Sequence, residues 1–250
     1  MIPKTLHYIW LSEEGQSRII KRCLASWKKA APDFEIRCWR MKDFDWDRMP
    51  EWVKQAVELR KWAFACDYLR LWILYHEGGI YLDADVFMLK DPGEFLDTDF
   101  FSAVEYYREL CPDPGKYLDG EGRPKDGYVP GFGLQAAVMG STAGHPFPAA
   151  CMEFYETHPL IQEDGSLYSA ALAPGIQAKA AEAFGFRYRD QEQYLTPRMM
   201  IYPHEYFAGG FSQLSSQSRM LHLCSGSWRD MSLFRRLKLD LYLLRGLRRL

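Results

Sequence analysis

The chain has 250 residues and a mass of 29.2 kDa, with 48% hydrophobic and 26% charged residues, an ordinary globular mixture that excludes disorder, collagen and coiled coil. A net charge of -2 and a pI of 6.3 exclude a global basic signal for nucleic acid. The length predicts one large domain, or one domain with an appended piece, that needs neither metal nor disulfide to fold.

The aromatic fraction is high at 15%, with 8 Trp and 15 Tyr, and such rings fill cores or build sites that stack sugars and bases. Six cysteines (Cys23, Cys38, Cys66, Cys111, Cys151, Cys224) form no CxxC pair and read as reduced thiols. The first residues, MIPKTLHYIWLSEEG, are too polar for a signal sequence, and no apolar run reaches the ~18 residues of a membrane span. The expected location is cytoplasmic.

Taken along the chain, 4–10 reads as a first strand. Residues 16–30 follow with helical spacing (Ile19, Ile20, Cys23, Leu24, Trp27) and stop near Pro32. Phe34, Ile36 and Cys38 alternate with polar residues as in a strand. One long helix is expected over 51–76, buried in its second half and capped by Gly78-Gly79. A short apolar strand, Ile80-Tyr81-Leu82, runs into Asp83-Ala84-Asp85, and the chain continues extended over 86–89. Another strand is expected at 100–104. Four Pro and six Gly in 111–133 mark a long irregular loop, of the kind that serves as a lid or binding loop. A strand at 134–139, helices at 146–157 and 172–184, and strands near 197–201 and 219–223 complete an α/β pattern.

Asp83-Ala84-Asp85 carries the clearest chemistry. In an extended chain residues i and i+2 point to one side, so the two carboxylates face one spot. They repel unless a cation lies between them, and oxygen ligands suit Mg²⁺ or Mn²⁺. A polar turn after a strand is the plain alternative. Asp67 and Arg70 lie i, i+3 on the long helix, inside the apolar stretch AFACDYLRLWIL. They read either as a structural ion pair or as groups for a phosphate or sugar hydroxyls. His222, alone, reads as a structural histidine before a Gly/Ser turn and Trp228.

Together the segments IPKTLHYIW (2–10), W-x4-PDFEIRCW (27–39), AFACDYLRLWILYHEGGIYLDADVFMLK (63–90), the Gly-His-Pro at 144–146 and HLCSGSW (222–228) resemble the DxD-containing sugar transferases of glycosyltransferase family 32. That family includes yeast mannosyltransferase-like and capsular polysaccharide enzymes. The resemblance implies a GT-A fold: a Rossmann-like nucleotide-sugar-binding α/β domain, its mixed sheet flanked by helices, over 1–228. It implies Mn²⁺ or Mg²⁺, a nucleotide-sugar donor (a UDP-sugar by family weight), a glycan or lipid-linked acceptor, and retention of anomeric configuration. Carried over by residue, Ile9 and Trp10 line the nucleotide base, and Asp67 and Arg70 contact donor sugar and phosphates. Asp83 meets the ribose or the metal, and Asp85 and His222 ligate the metal. Ser227 and Trp228 close over the diphosphate. Gln135 stands where the family often has Asn facing the reacting sugar, and Ala173-Pro174-Gly175 replaces a usual Gly-Pro.

Residues 229–250 hold seven Arg or Lys against Asp230 and Asp240, so this tail carries +5 and the preceding chain -7. Leu233, Phe234, Leu237, Leu241, Leu244 and Leu247 cluster on one helical arc. The expectation is a basic amphipathic helix that meets an anionic membrane surface, peripheral on its inner face, with a helix docked on the body as the alternative. Two further functions compete with sugar transfer. Leu82-Asp83-Ala84-Asp85-Val86 fits the first motif of haloacid-dehalogenase-type phosphatases, but no later acidic signature follows residue 130. A peripheral membrane or carbohydrate-binding protein would use the aromatics without metal or nucleotide.

Overall fold

The computed structural model describes residues 1–224. Ser227, Trp228 and the 229–250 tail lie outside the described residues. In chain order the elements are β1 (Thr5–Ile9), α1 (Arg18–Ala30), β2 (Glu35–Trp39), α2 (Glu51–Glu58), α3 (Trp62–Glu77), β3 (Gly79–Leu82), β4 (Val86–Met88), β5 (Phe100–Tyr106), β6 (Phe132–Leu134), β7 (Val138–Ser141), α4 (Pro146–Thr157), α5 (Ala173–Ala181), β8 (Gln193–Leu195), β9 (Met199–Tyr202), β10 (Phe207–Ala208) and β11 (Met220–His222). The expected α/β architecture, a mixed sheet flanked by helices, is present.

The main sheet has eight strands in the order β2-β1-β3-β7-β5-β9-β8, with β6 paired to β5. β1 runs parallel to β2 and β3, whereas β7 is antiparallel to both β3 and β5. Strand alternation separates two cores. Tyr81, Phe100, Val104 and Met139 face a cluster with residues of α2, α3, α4 and α5. Ile80, Leu82, Phe101 and Ala103 face the other way, toward Trp27 of α1 and a second, three-stranded sheet, β10-β11-β4. Trp27 donates its indole N–H to the Val86 carbonyl (2.8 Å), and the Ser26 hydroxyl accepts from the Met88 amide (2.9 Å), so α1 is fastened to β4.

The long helix expected over 51–76 is two helices. Leu59-Arg60-Lys61 carries no residue for the core, and the chain turns there, with Arg60 at a φ of 53° and the Lys61 amide reaching back to the Ala56 carbonyl at 2.8 Å. The bend lets both helices bury their own faces, and Trp52 of α2 donates to the Phe64 carbonyl of α3 at 3.0 Å. The strand expected at 134–139 is also divided. The Ser102 hydroxyl sits between the carbonyls of Gln135 (2.8 Å) and Val138 (3.2 Å) and holds a kink between β6 and β7. The third difference is that β4 does not extend β3 but crosses to the small sheet. β8 and β10, three and two residues long, have too little pattern to be seen in the sequence.

Gly78 and Gly79 do more than end α3. Both have positive φ, 70° and 90°. A Cβ on Gly79 would lie 2.7 Å from His7 Nε2 and 2.8 Å from the Thr5 carbonyl oxygen. Only glycine lets β3 approach β1 this closely. Among the described residues no helix is long and apolar enough to cross a membrane.

Candidate active site

Asp83 leaves β3 in a tight turn. Its amide donates to the Ala137 carbonyl (2.9 Å) and its carbonyl accepts from the Val86 amide (2.9 Å). The two carboxylates are therefore brought together by a turn between two sheets, and not by the pleat of one strand as the alternation argument supposed. His222 arrives from the small sheet. β11 is antiparallel to β4 with His222 opposite Val86, and the Leu223 amide donates to the Asp85 carbonyl at 3.1 Å. That register sets His222 Nε2 3.3 Å from Asp85 Oδ1 and 3.9 Å from Asp83 Oδ2.

One ligand atom from each of Asp83, Asp85 and His222 lies within 4.8 Å of the others, a group able to hold a metal ion. Burial works against a charged imidazole, but the adjacent Asp85 outweighs it and holds the His222 pKa well above its ordinary value. The two carboxylates thus demand a positive partner, and a proton on His222 supplies it when no metal does.

Arg70 forms the floor beside them. It is 5% exposed and fully engaged: Nε donates to the Cys66 carbonyl (2.9 Å), Nη1 to the Ala136 carbonyl (2.6 Å) and Nη2 to Asp67 Oδ1 (3.0 Å). Nη1 also lies 3.5 Å from Asp83 Oδ1, which accepts a hydrogen bond from the Tyr81 hydroxyl at 2.8 Å. Burial pushes the Asp67 carboxyl up to about 7, against the pull of Arg70 and with the help of Asp83. The i, i+3 pairing expected on α3 is present and extends to Asp83.

The other expected residues divide. Trp10 is partly exposed just past the end of β1 and donates its indole N–H to the Glu14 carbonyl at 2.9 Å, whereas Ile9 is 6% exposed and belongs to the core. Gln135 is 2% exposed, and its side chain is spent on the Phe207 carbonyl (3.3 Å) and the Ala137 amide (3.0 Å). It anchors the loop under Arg70 and Asp83 rather than opening toward them. Two residues of the site had no clear sequence signal. Tyr81 alternates as any core aromatic does. Glu105 is next to last in the run FFSAVEY of β5 and reads as the wet end of a strand, yet it is partly buried, and burial pushes its carboxyl up to about 7 with Asp83 adding to the effect.

Residues 17–102 match a family described as "Glycosyltransferase sugar-binding region containing DXD motif". The chain is 31% identical over 155 residues to the uncharacterized glycosyltransferase L373 of Acanthamoeba polyphaga mimivirus, covering 58% of this chain and 52% of that one. It is 38% identical over 65 residues to the toxin Afp18 of Yersinia ruckeri, which is 26% of this chain and 3% of the toxin. The chain therefore spans about half of the first relative's length and a small part of the second. Among solved structures, the glycosyltransferase involved in glycosylation of the major capsid of PBCV-1 aligns at a TM-score of 0.48 and 11% identity, over 95% of this chain and 98% of that one. PaToxG glycosyltransferase aligns at a TM-score of 0.46 and 18% identity, over 73% and 69%. The Asp83-Ala84-Asp85 turn and Arg70 thus lie inside a segment that matches the sugar-binding region of DXD-containing glycosyltransferases.

Proposed function

We propose that the chain is a metal-dependent, retaining glycosyltransferase of the GT-A type. It moves a hexose from a nucleotide sugar, a UDP-sugar by preference, to a glycan or lipid-linked acceptor, as in surface polysaccharide synthesis. The observation that carries this reading is the convergence of His222 on Asp83 and Asp85, two carboxylates that lie in a segment matched to a sugar-binding region. Two carboxylates suit Mg²⁺ or Mn²⁺, and the imidazole nitrogen favours Mn²⁺ of the two. A divalent ion bound by these residues supplies a Lewis acid for the leaving diphosphate.

The chain's own groups do the rest. Arg70 is a cation fixed by two backbone carbonyls and Asp67, so it meets growing phosphate charge without reorganising. Asp67, paired with it, is the group assigned to donor-sugar hydroxyls and to the positive charge that grows on the ring. Trp10, with Ile9 behind it, lines the nucleotide base, and Ser227 and Trp228 cover the diphosphate. Gln135 holds the loop that presents the Ala136 carbonyl to Arg70. No strong base is needed if the leaving phosphate takes the acceptor's proton. The basic segment 229–250 meets an anionic membrane face on which lipid-linked acceptors sit. Unchanged liposome sedimentation after deletion of 232–250 would remove that part alone.

The deciding experiment is thermal unfolding of wild type and Asp85→Ala with UDP, GDP or CDP, each with and without Mn²⁺. A ligand at about a hundred times its dissociation constant adds ~2.7 kcal/mol, which is roughly 5–10 °C for a chain of this size. A shift that needs one nucleotide plus Mn²⁺ and is absent in Asp85→Ala supports the reading and names the base. No shift with any nucleotide overturns it.

A further inference from the structure

We propose that Glu105 is the acceptor-side wall of the cleft, a carboxylate that binds a hydroxyl of the incoming acceptor across from the Asp83, Asp85 and His222 group. The inference rests on the glycosyltransferase reading above and names a residue which that reading leaves without a task.

The placement follows from register. Ile80 of β3 and Phe101 of β5 both pair with Gly140 of β7, one from each side. β3 and β5 therefore run in the same direction and end on the same edge, two strand spacings or ~9–10 Å apart. Continuing that register sets Glu105 at the height of Ala84, level with the Asp83–Asp85 turn. Alternation along β5 puts Glu105 on the face of Phe101 and Ala103, the face that the small sheet bearing His222 covers. His222, Asp83 and Arg70 are the charged groups that act on it.

The Glu105 carboxylate makes no hydrogen bond or ion pair with any described residue, unlike those of Asp67, Asp83 and Asp85, each of which has partners. The Glu105 oxygens are not sealed among the buried unsatisfied atoms, so a ligand can reach them. The ligand's chemistry is bounded by the neighbours. The Glu105 carboxylate itself disfavours phosphate, which the metal site and Arg70 suit better. A carboxylate accepts from one or two hydroxyls at once, which fits a sugar or another polyol. In the transfer itself the acceptor oxygen bonds to the anomeric carbon while the sugar–phosphate bond breaks. The bonding pair and the acceptor's proton leave with the diphosphate. Glu105 orients the acceptor and retains no proton.

The test uses the full chain with Mn²⁺ and each of UDP-glucose, UDP-galactose and UDP-N-acetylglucosamine, with molar glycerol as a minimal polyol acceptor. The readout is the ratio of hexosyl-glycerol to free hexose. Glu105→Gln is expected to lower that ratio about tenfold, since it weakens hydrogen bonds to a charged acceptor group. The UDP–Mn²⁺ affinity, read as the thermal shift, stays within about twofold of wild type. Glu105→Asp restores part of the ratio, and it carries the test if Glu105→Gln does not fold. An unchanged ratio overturns the inference. So does a ratio that falls together with UDP–Mn²⁺ affinity, which would place Glu105 on the donor side. A wild type that binds no nucleotide and turns over no donor overturns the underlying transferase reading, with a result that differs from both.

Discussion

His222 Nε2 lies 3.3 Å from Asp85 Oδ1, although Asp85 sits in the turn before β4 and His222 ends β11, 137 residues later. Their proximity depends on antiparallel pairing of β11 with β4. Substitution of either should therefore act on metal affinity first. His222→Ala is expected to weaken Mn²⁺ binding at least about tenfold, as loss of one of three protein ligands implies. Electron paramagnetic resonance titration of free Mn²⁺ measures this directly. Chelation of the metal should abolish transfer, and Mn²⁺ should restore it.

Arg70 is buried, and each of its three nitrogens donates to a protein oxygen. Arg70→Met leaves the buried carboxylate of Asp67 and the Ala136 carbonyl without their partner. Removal of one member of a buried charge pair costs ~3–5 kcal/mol. Urea unfolding should show that loss in the absence of any ligand. Arg70→Lys should retain part of the stability but lose the forked contact to Asp67 and the Ala136 carbonyl.

Gly79→Ala tests the close approach of β3 to β1. The added Cβ meets backbone at 2.8 Å and a ring nitrogen at 2.7 Å, at a φ of 90°. The expected cost is ~2–4 kcal/mol from strain and displacement together. Denaturant midpoints measure it. The same substitution at Gly120, which has nothing within 4 Å and no positive φ, should change little.

His7 makes stability depend on pH. It is 2% exposed, its Nδ1 accepts from the Trp39 indole at 3.0 Å, and burial, helped by Arg37, lowers its pKa from 6.5 to about 4. In the unfolded chain the imidazole protonates below about 6.5. In the folded chain it stays neutral until about 4. Stability is therefore complete above pH 6.5 and falls as the pH drops toward 4, by up to ~3 kcal/mol. Urea midpoints between pH 7 and 4 should show the slope in wild type and a flatter one in His7→Gln.

Much of this was legible in the sequence because the relevant physics is local. The helical spacing at Ile19, Cys23 and Trp27, the apolar strand before Asp83 and the i, i+3 relation of Asp67 and Arg70 need no knowledge of distant residues. What escaped depends on partners far along the chain. The break at Arg60 follows from packing of Trp52 against Phe64, and the kink after Leu134 from a hydroxyl on β5. Gln135 could be assigned by resemblance alone, but its amide is occupied by Phe207 and Ala137. Glu105 gave no signal because a charge at a strand end ordinarily faces water. Only the register of β3, β7 and β5 sets it level with the Asp83–Asp85 turn.

The small sheet has a consequence for how the protein matures. Asp83 and Asp85 emerge early in synthesis and His222 near the end of the described chain, so a growing or truncated polypeptide owns the carboxylates long before the imidazole. Until β11 docks on β4, the half-built site is two exposed acids with little grip on a cation. On the proposed metal-dependent reading, metal capture would report completion, because a fragment ending before Met220 lacks the imidazole that joins the two carboxylates.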